Sequence, residues 1–248
     1  MLFSCGLVFL FLTSLTHDLV GSSRVYELTD KFVDLYTQDN RPWLVKFYAP
    51  WCHHCRQLEP VYMQVAQELA IEGSEVVVGR LDCTRFTSAA THFPVRGFPT
   101  ILYIHKDFMI EYDGDRSKED ILDFSRRLSG PAIRPVKDCK QVDVLLEEHK
   151  VFFLHVGHPI PDHFAKTANK YRSVTWFYHL SMACEGVDVD IGSSFVVKGT
   201  AEKKMISRFD EMSLLESNTS MNQWVRKERF PHFFKVTGGN FNHVIRSG

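Results

Sequence analysis

The chain has 248 residues, 44% of them hydrophobic and 24% charged, with a formal net charge of −1. That balance excludes a disordered or collagen-like chain and supplies no basic field to gather phosphates, so no nucleic-acid partner is expected. Six cysteines are too few to staple a fold of this size; two form one Cys-x-x-Cys pair and the others are scattered.

At the N-terminus, residues 2–15 are almost wholly apolar and run into His17, Asp18 and the small residues Gly21, Ser22 and Ser23. This reads as a signal peptide over 1–22, because the run falls short of the roughly 20 apolar residues that cross a bilayer. No later stretch is long enough to span a membrane, and the terminal Ile245-Arg246-Ser247-Gly248 is not a lumenal retention signal.

Residues 23–130 alternate strand and helix signals. Residues 43–48 form a short apolar run before Ala49-Pro50, as a central strand covered on both faces would. Leu58, Val61, Tyr62, Val65 and Leu69 then fall at helical spacing, with Pro60 predicting a kink. A strand over 76–81, a short helix through Ala89 and Ala90, and strands over 100–105 and 109–112 follow, the last two joined by a turn at Lys106-Asp107. Ser117, with Asp120 three residues on, caps a helix that ends before Gly130-Pro131.

Residues 131–236 repeat the rhythm without the Cys pair. A helix over 141–148, a strand over 151–156, a helix from a capping Asp162 to Tyr171, strands over 174–178, 195–198 and 204–209, and a helix over 220–230 are predicted. Two copies of one α/β fold in tandem result, joined at Gly130-Pro131, with a tail over 237–248 that carries no periodic pattern.

The chemistry lies in Trp51-Cys52-His53-His54-Cys55, at the junction of the central strand and the helix after it. There the Cys52 sulfur meets unpaired backbone N–H groups at the positive end of the helix dipole, which favours a thiolate. Cys55 lies one turn on and can close a disulfide with Cys52, a reversible two-electron switch. His53 and His54 add cationic or hydrogen-bonding character between the sulfurs, which stabilises the reduced form and makes the disulfide more oxidising. A Cys-x-x-Cys is also half of a zinc site, but Cys83, Cys139 and Cys184 are single, so no metal is expected.

Residues 48–60, from Tyr48-Ala49-Pro50 through the Cys pair to Leu58-Glu59-Pro60, together with Val95-Arg96-Gly97-Phe98-Pro99-Thr100, resemble a catalytic domain of the protein disulfide isomerase family, of thioredoxin fold. Further likeness in 113–118, 128–135 and 224–230 extends it over about 24–236. The resemblance implies two tandem thioredoxin-like domains, the first catalytic and the second not. It implies Cys52 as attacking thiol, Cys55 as resolving thiol, Pro99 as a cis-proline facing the pair and contacting substrate beside Phe98 and Trp51, and Arg116 as a mobile base that tunes Cys55.

The sequence departs from that pattern in several places. His53 replaces the usual Gly between the first Cys and the His, adding a second imidazole at the site. Lys46 stands where the family places a buried acid that relays the proton of the resolving thiol, and Arg80 is its expected neighbour across the sheet. Two cations without an acid are costly, so two readings of Lys46 stay open: a neutral amine that accepts the Cys55 proton, or a side chain that snorkels to water with no catalytic role. The second domain has Gly192-Ser193-Ser194 before its strand, with no Cys pair and no equivalent cis-proline. The chain also stops where such family members continue into another domain, a membrane span and a retention tail, and so reads as a short, anchorless form.

Cys83 reads as a packing thiol, pairing of Cys139 with Cys184 stays open, and Asn218-Thr219-Ser220 is a glycosylation sequon. The sequence thus points to a thiol-disulfide oxidoreductase or isomerase of the secretory pathway, acting on client proteins and recharged by a lumenal oxidase or glutathione, with no cofactor. The alternative is a chaperone or client-binding module whose Cys pair is slow or vestigial. The expected location is the endoplasmic reticulum lumen, or the medium after release.

Overall fold

The computed structural model describes residues 25–106, 108–183, 190–200, 203–209 and 220–231. The expected leader, the tail from 237, Cys184 and Asn218 lie outside the described residues.

The first unit runs β1 (Tyr26–Leu28), α1 (Phe32–Gln38), β2 (Trp43–Tyr48), α2 (His53–Ile71), β3 (Val77–Asp82), α3 (Thr87–Ala90), β4 (Thr100–His105), β5 (Phe108–Glu111) and α4 (Lys118–Ser129). Its sheet has the order β1-β3-β2-β4-β5, with β1, β3 and β2 parallel and β4 and β5 antiparallel. The strand β2 is central and buried through Phe47, which is why its sequence is continuously apolar save for one residue. Alternation along it sends Val45 and Phe47 into a core with Phe32, Phe93 and Leu102, and Leu44 into the opposite core with Leu58, Tyr62 and Ile121. Lys46, two residues from Leu44, shares the face covered by α2 and is fully buried. The predicted helix is longer than its apolar spacing showed, because α2 begins at His53 and continues through Pro60. The Tyr62 hydroxyl, buried on α2, lies 2.8 Å from the Leu44 carbonyl oxygen and 2.9 Å from that of Gly79, tying the helix to both β2 and β3.

The second unit runs β6 (Arg134–Val136), α5 (Cys139–Glu148), β7 (Val151–Val156), α6 (Asp162–Tyr171), β8 (Trp176–Leu180), β9 (Ser194–Gly199), β10 (Lys204–Arg208) and α7 (Met221–Glu228). Its sheet order, β10-β9-β7-β8-β6, is that of the first unit read from the other edge, again with three parallel and two antiparallel strands. One predicted cap is corrected: Asp162 is the first residue of α6, the N-cap is Pro161, and no side chain caps that end. Ser117 does cap α4, its hydroxyl accepting the Asp120 N–H at 3.1 Å, and Ser220 forms a reciprocal capping box with Gln223 at α7.

The turn from β7 to α6 is Gly157-His158-Pro159-Ile160-Pro161, with a cis peptide at His158–Pro159 and no thiol. This cis-proline follows the central strand, whereas the segment before β9 holds Ser193. The junction between units is built from arginines. Arg127 reaches the Ser173 carbonyl at 2.9 Å, Arg172 reaches the carbonyls of Arg127 (3.1 Å), Leu128 (2.6 Å) and Gly130, and Arg134 lies over the Trp176 ring at 4.7 Å. His149 stacks on the same Trp176 ring, with the centroids 4.3 Å apart. Among the described residues no helix is long and apolar enough to cross a membrane.

Candidate active site

Cys52 is the N-cap of α2, with extended backbone (φ −70°, ψ 116°), and its sulfur accepts the Cys55 N–H at 3.2 Å. A helix N-terminus leaves its first N–H groups without intrahelical acceptors, so a sulfur in this position meets one of them and the positive end of the helix. Both cysteines are thiols and both are buried, Cys52 at 7% and Cys55 at 3% exposure. The arrangement is a dithiol in which the outer sulfur is the better presented. Burial, then the hydrogen bond with the Cys52 side chain, push the Cys55 thiol up to about 11, against opposing effects of the Ala49 backbone amide and the Lys46 charge.

Phe98–Pro99 is a cis peptide, and the Phe98 carbonyl oxygen accepts the Cys52 S–H at 3.6 Å. Trp51 is 71% exposed and meets Phe98 edge-to-face at 6.2 Å, so an open aromatic ridge borders the buried sulfur. Trp51, Phe98 and Pro99, singled out in the sequence, are therefore brought together around Cys52. His53 and His54, on the first turn of α2, are exposed, their rings 5.9 Å apart, and His54 Nδ1 is 3.2 Å from Gln57 Oε1. Arg116 is exposed in the loop between β5 and α4.

The expectation that Lys46 and Arg80 lack an acid is overturned. Lys46 and Arg80 are register partners across β2 and β3, as expected, but Glu59 of α2 lies between them, one carboxylate oxygen on each cation. Glu27 on β1, the register partner of Arg80 on its other side, extends the chain of alternating charges outward. A buried ammonium held by a carboxylate is an ion pair, and neither a neutral amine nor a side chain snorkelling to water at Lys46 fits this geometry. The Lys46 ammonium also lies 5.1 Å from the centre of the Tyr62 ring and 5.5 Å from that of Tyr48. Glu59 was the residue missed; its position four after Cys55, one helical turn along α2, was the available signal.

Cys83 is buried, which pushes its thiol up to about 11. Cys139 is disulfide-bonded and its sulfur lies 3.9 Å from the Ala183 carbonyl oxygen, while Cys184, its candidate partner, is outside the described residues. Among the described residues no group of three or more His, Cys, Asp or Glu is placed to hold a metal ion.

Residues 24–127 match the thioredoxin family profile. Over 230 residues the chain is 34% identical to protein disulfide-isomerase TMX3 of Xenopus laevis, covering 91% of this chain and 49% of that protein. The chain is a thioredoxin-fold member of the protein disulfide isomerase family. The human protein of the same name is 32% identical over 79% of this chain and 42% of its own length, so the chain spans about half the length of these relatives. Among solved structures, the first thioredoxin domain of mouse protein disulfide-isomerase A4 is 36% identical, covering 43% of this chain and 76% of that one, with a TM-score of 0.40.

Proposed function

We propose that this protein is a thiol-disulfide oxidoreductase or isomerase acting on the cysteines of client proteins in the secretory pathway. The observation that carries this reading is the Cys52 sulfur at the N-cap of α2, accepting the Cys55 N–H and bordered by Phe98. In the reducing direction the Cys52 thiolate attacks a client disulfide, one client sulfur leaves, and a mixed disulfide forms. Cys55 then attacks the Cys52 sulfur, the second client sulfur leaves, and Cys52–Cys55 closes. Run backwards from the closed pair, the same steps oxidise a client. Trp51, Phe98 and Pro99 form the surface against which the client chain lies.

The second unit has no thiol in the turn where the first has two, and it serves as a non-catalytic partner domain. A lumenal oxidase or the glutathione pool returns the pair to its starting state, and the endoplasmic reticulum lumen is where such clients are found. The test is reduction of insulin by dithiothreitol and reactivation of scrambled ribonuclease. Both should be accelerated by the wild type and neither by Cys52→Ser. Equal catalysis by Cys52→Ser would overturn the assignment, and binding of unfolded chains without turnover would favour a chaperone.

A further inference from the structure

Beneath the Cys pair a buried cation is held by a carboxylate one helical turn after Cys55, and the charge of that cation favours the Cys55 thiolate. Lys46 is fully buried on the face of β2 covered by α2, the helix that carries Cys55. It is enclosed by the carboxylate of Glu59 and the rings of Tyr48 and Tyr62, while its partner on β4 is the apolar Ile101. Glu59 has no oxygen left over, since Oε2 meets Lys46 and Oε1 meets Arg80, which itself is held from the far side by Glu27. Of the two cations it meets, Arg80 has Glu27 as a second acid, whereas the buried Lys46 ammonium has Glu59. The evident effect of Glu59 is to hold the ammonium in position.

We propose that Lys46 is a positioning residue for the resolving step: anchored by Glu59, its ammonium stabilises the Cys55 thiolate that attacks the Cys52–client disulfide. The inference rests on the proposed oxidoreductase reading. In that step Cys55 S–H loses its proton to water, the thiolate sulfur bonds to Cys52 Sγ, the Cys52–client S–S bond breaks, and the client leaves as a thiolate that takes up a proton. The charge that develops on the buried Cys55 sulfur is what burial opposes, and the Ala49 backbone amide and a fixed cation both act to offset it. Other ionisable groups that bear on Cys55 include Cys52, with its sulfur 3.2 Å from the Cys55 amide nitrogen, the buried Cys83, and Glu59, one turn along α2 and bound to the same ammonium.

The test titrates Cys55 by the pH dependence of its alkylation in a Cys52→Ser background, read by the mass of the labelled peptide. Lys46→Met should raise the midpoint by about one unit, a tenfold loss of thiolate at fixed pH, and Lys46→Arg should leave it near the parent value. In the dithiol protein, acid-quenched mixed disulfides with a client should live about tenfold longer in Lys46→Met than in Lys46→Arg. Because Lys46→Met leaves one oxygen of Glu59 without its cation, the double variant Lys46→Met with Glu59→Gln and the charge-reversed Lys46→Glu with Glu59→Lys are measured beside it. The reversed pair keeps an ion pair, and should nonetheless raise the midpoint if the sign of the charge matters. Unchanged midpoints in folded double variants, judged by circular dichroism, would overturn the proposal. A wild type that never turns over a client while Lys46→Met still shifts the midpoint would sink the oxidoreductase reading alone.

Discussion

Arg127 and Arg172 hold the domain junction from opposite sides: Arg127 of α4 donates to the Ser173 carbonyl at 2.9 Å, and Arg172, one residue away in the second unit, donates back to the Arg127 carbonyl at 3.1 Å. Arg172 also reaches the Leu128 and Gly130 carbonyls, so one guanidinium satisfies acceptors at the C-terminal end of α4 that no further helical turn can reach. The two sheets are thus fastened by main-chain acceptors, which a change of side chain at 128 or 130 does not remove.

Arg172→Ala should loosen this clasp at a cost of about 1–3 kcal/mol, from orphaned carbonyls at a charged hydrogen bond. Limited proteolysis should cut faster around 129–135, and the urea midpoint should fall, with insulin reduction retained. Unchanged protease sensitivity would show that the remaining arginines suffice.

His149 makes stability pH-dependent. Burial first, then the charges of Arg127, Arg134 and Arg126, push it down to about 4 from an ordinary 6.5. The unfolded chain takes up the proton as pH falls below 6.5 while the folded chain refuses it until about 4, so stability falls with decreasing pH across that window and is unaffected above it. The contribution is at most about 3 kcal/mol, and His149→Gln should flatten the wild-type slope of unfolding free energy between those limits. An identical slope in the variant would refute this.

The thiols should label in order. With Cys55 and Cys83 both pushed up to about 11 by burial, iodoacetamide near neutral pH should react with Cys52 first, and Cys55 should gain reactivity only as pH rises towards that value. Faster labelling at Cys55 in the reduced protein would invert the assignment of attacking and resolving thiols.

Tyr62→Phe removes a hydroxyl shared between the Leu44 and Gly79 carbonyls while keeping the ring. A loss of about 1 kcal/mol is expected. Thermal unfolding of the two proteins at one pH measures it, and a loss near zero would mean the sheet bonds already satisfy those oxygens.

What the sequence made legible follows its physics. The strands β2, β4 and β7 were predicted with the bounds observed, because each is a run of apolar residues buried on both faces and needs no neighbour to be recognised. The three-residue strands β1 and β6 and the helix α1 were not: Tyr26 and Glu27 are exposed, and α1 has a single buried residue, Phe32, so no periodic stripe marks them. The cysteines, Trp51, Phe98 and Pro99 could be named from sequence, since the strand-to-helix turn fixes the first three and the family pattern supplies the others. Glu59 escaped because Lys46 was paired only across the sheet. Its acid comes from the layer above, which linear spacing along β2 does not report.

The chain of charges from Glu27 through Arg80 and Glu59 to Lys46 also has a wet end and a dry one, with side-chain exposures of 56% at Glu27, 29% and 33% at Arg80 and Glu59, and 0% at Lys46. Dissolved ions screen the outer link more than the inner one, since screening acts on charges that solvent surrounds and Lys46 is fully buried. Raising the ionic strength therefore weakens the hold of Glu27 on Arg80 well before it touches the ammonium beneath the cysteines. Two side chains, Arg80 and Glu59, thus stand between the Lys46 ammonium and the wet end of the chain at Glu27.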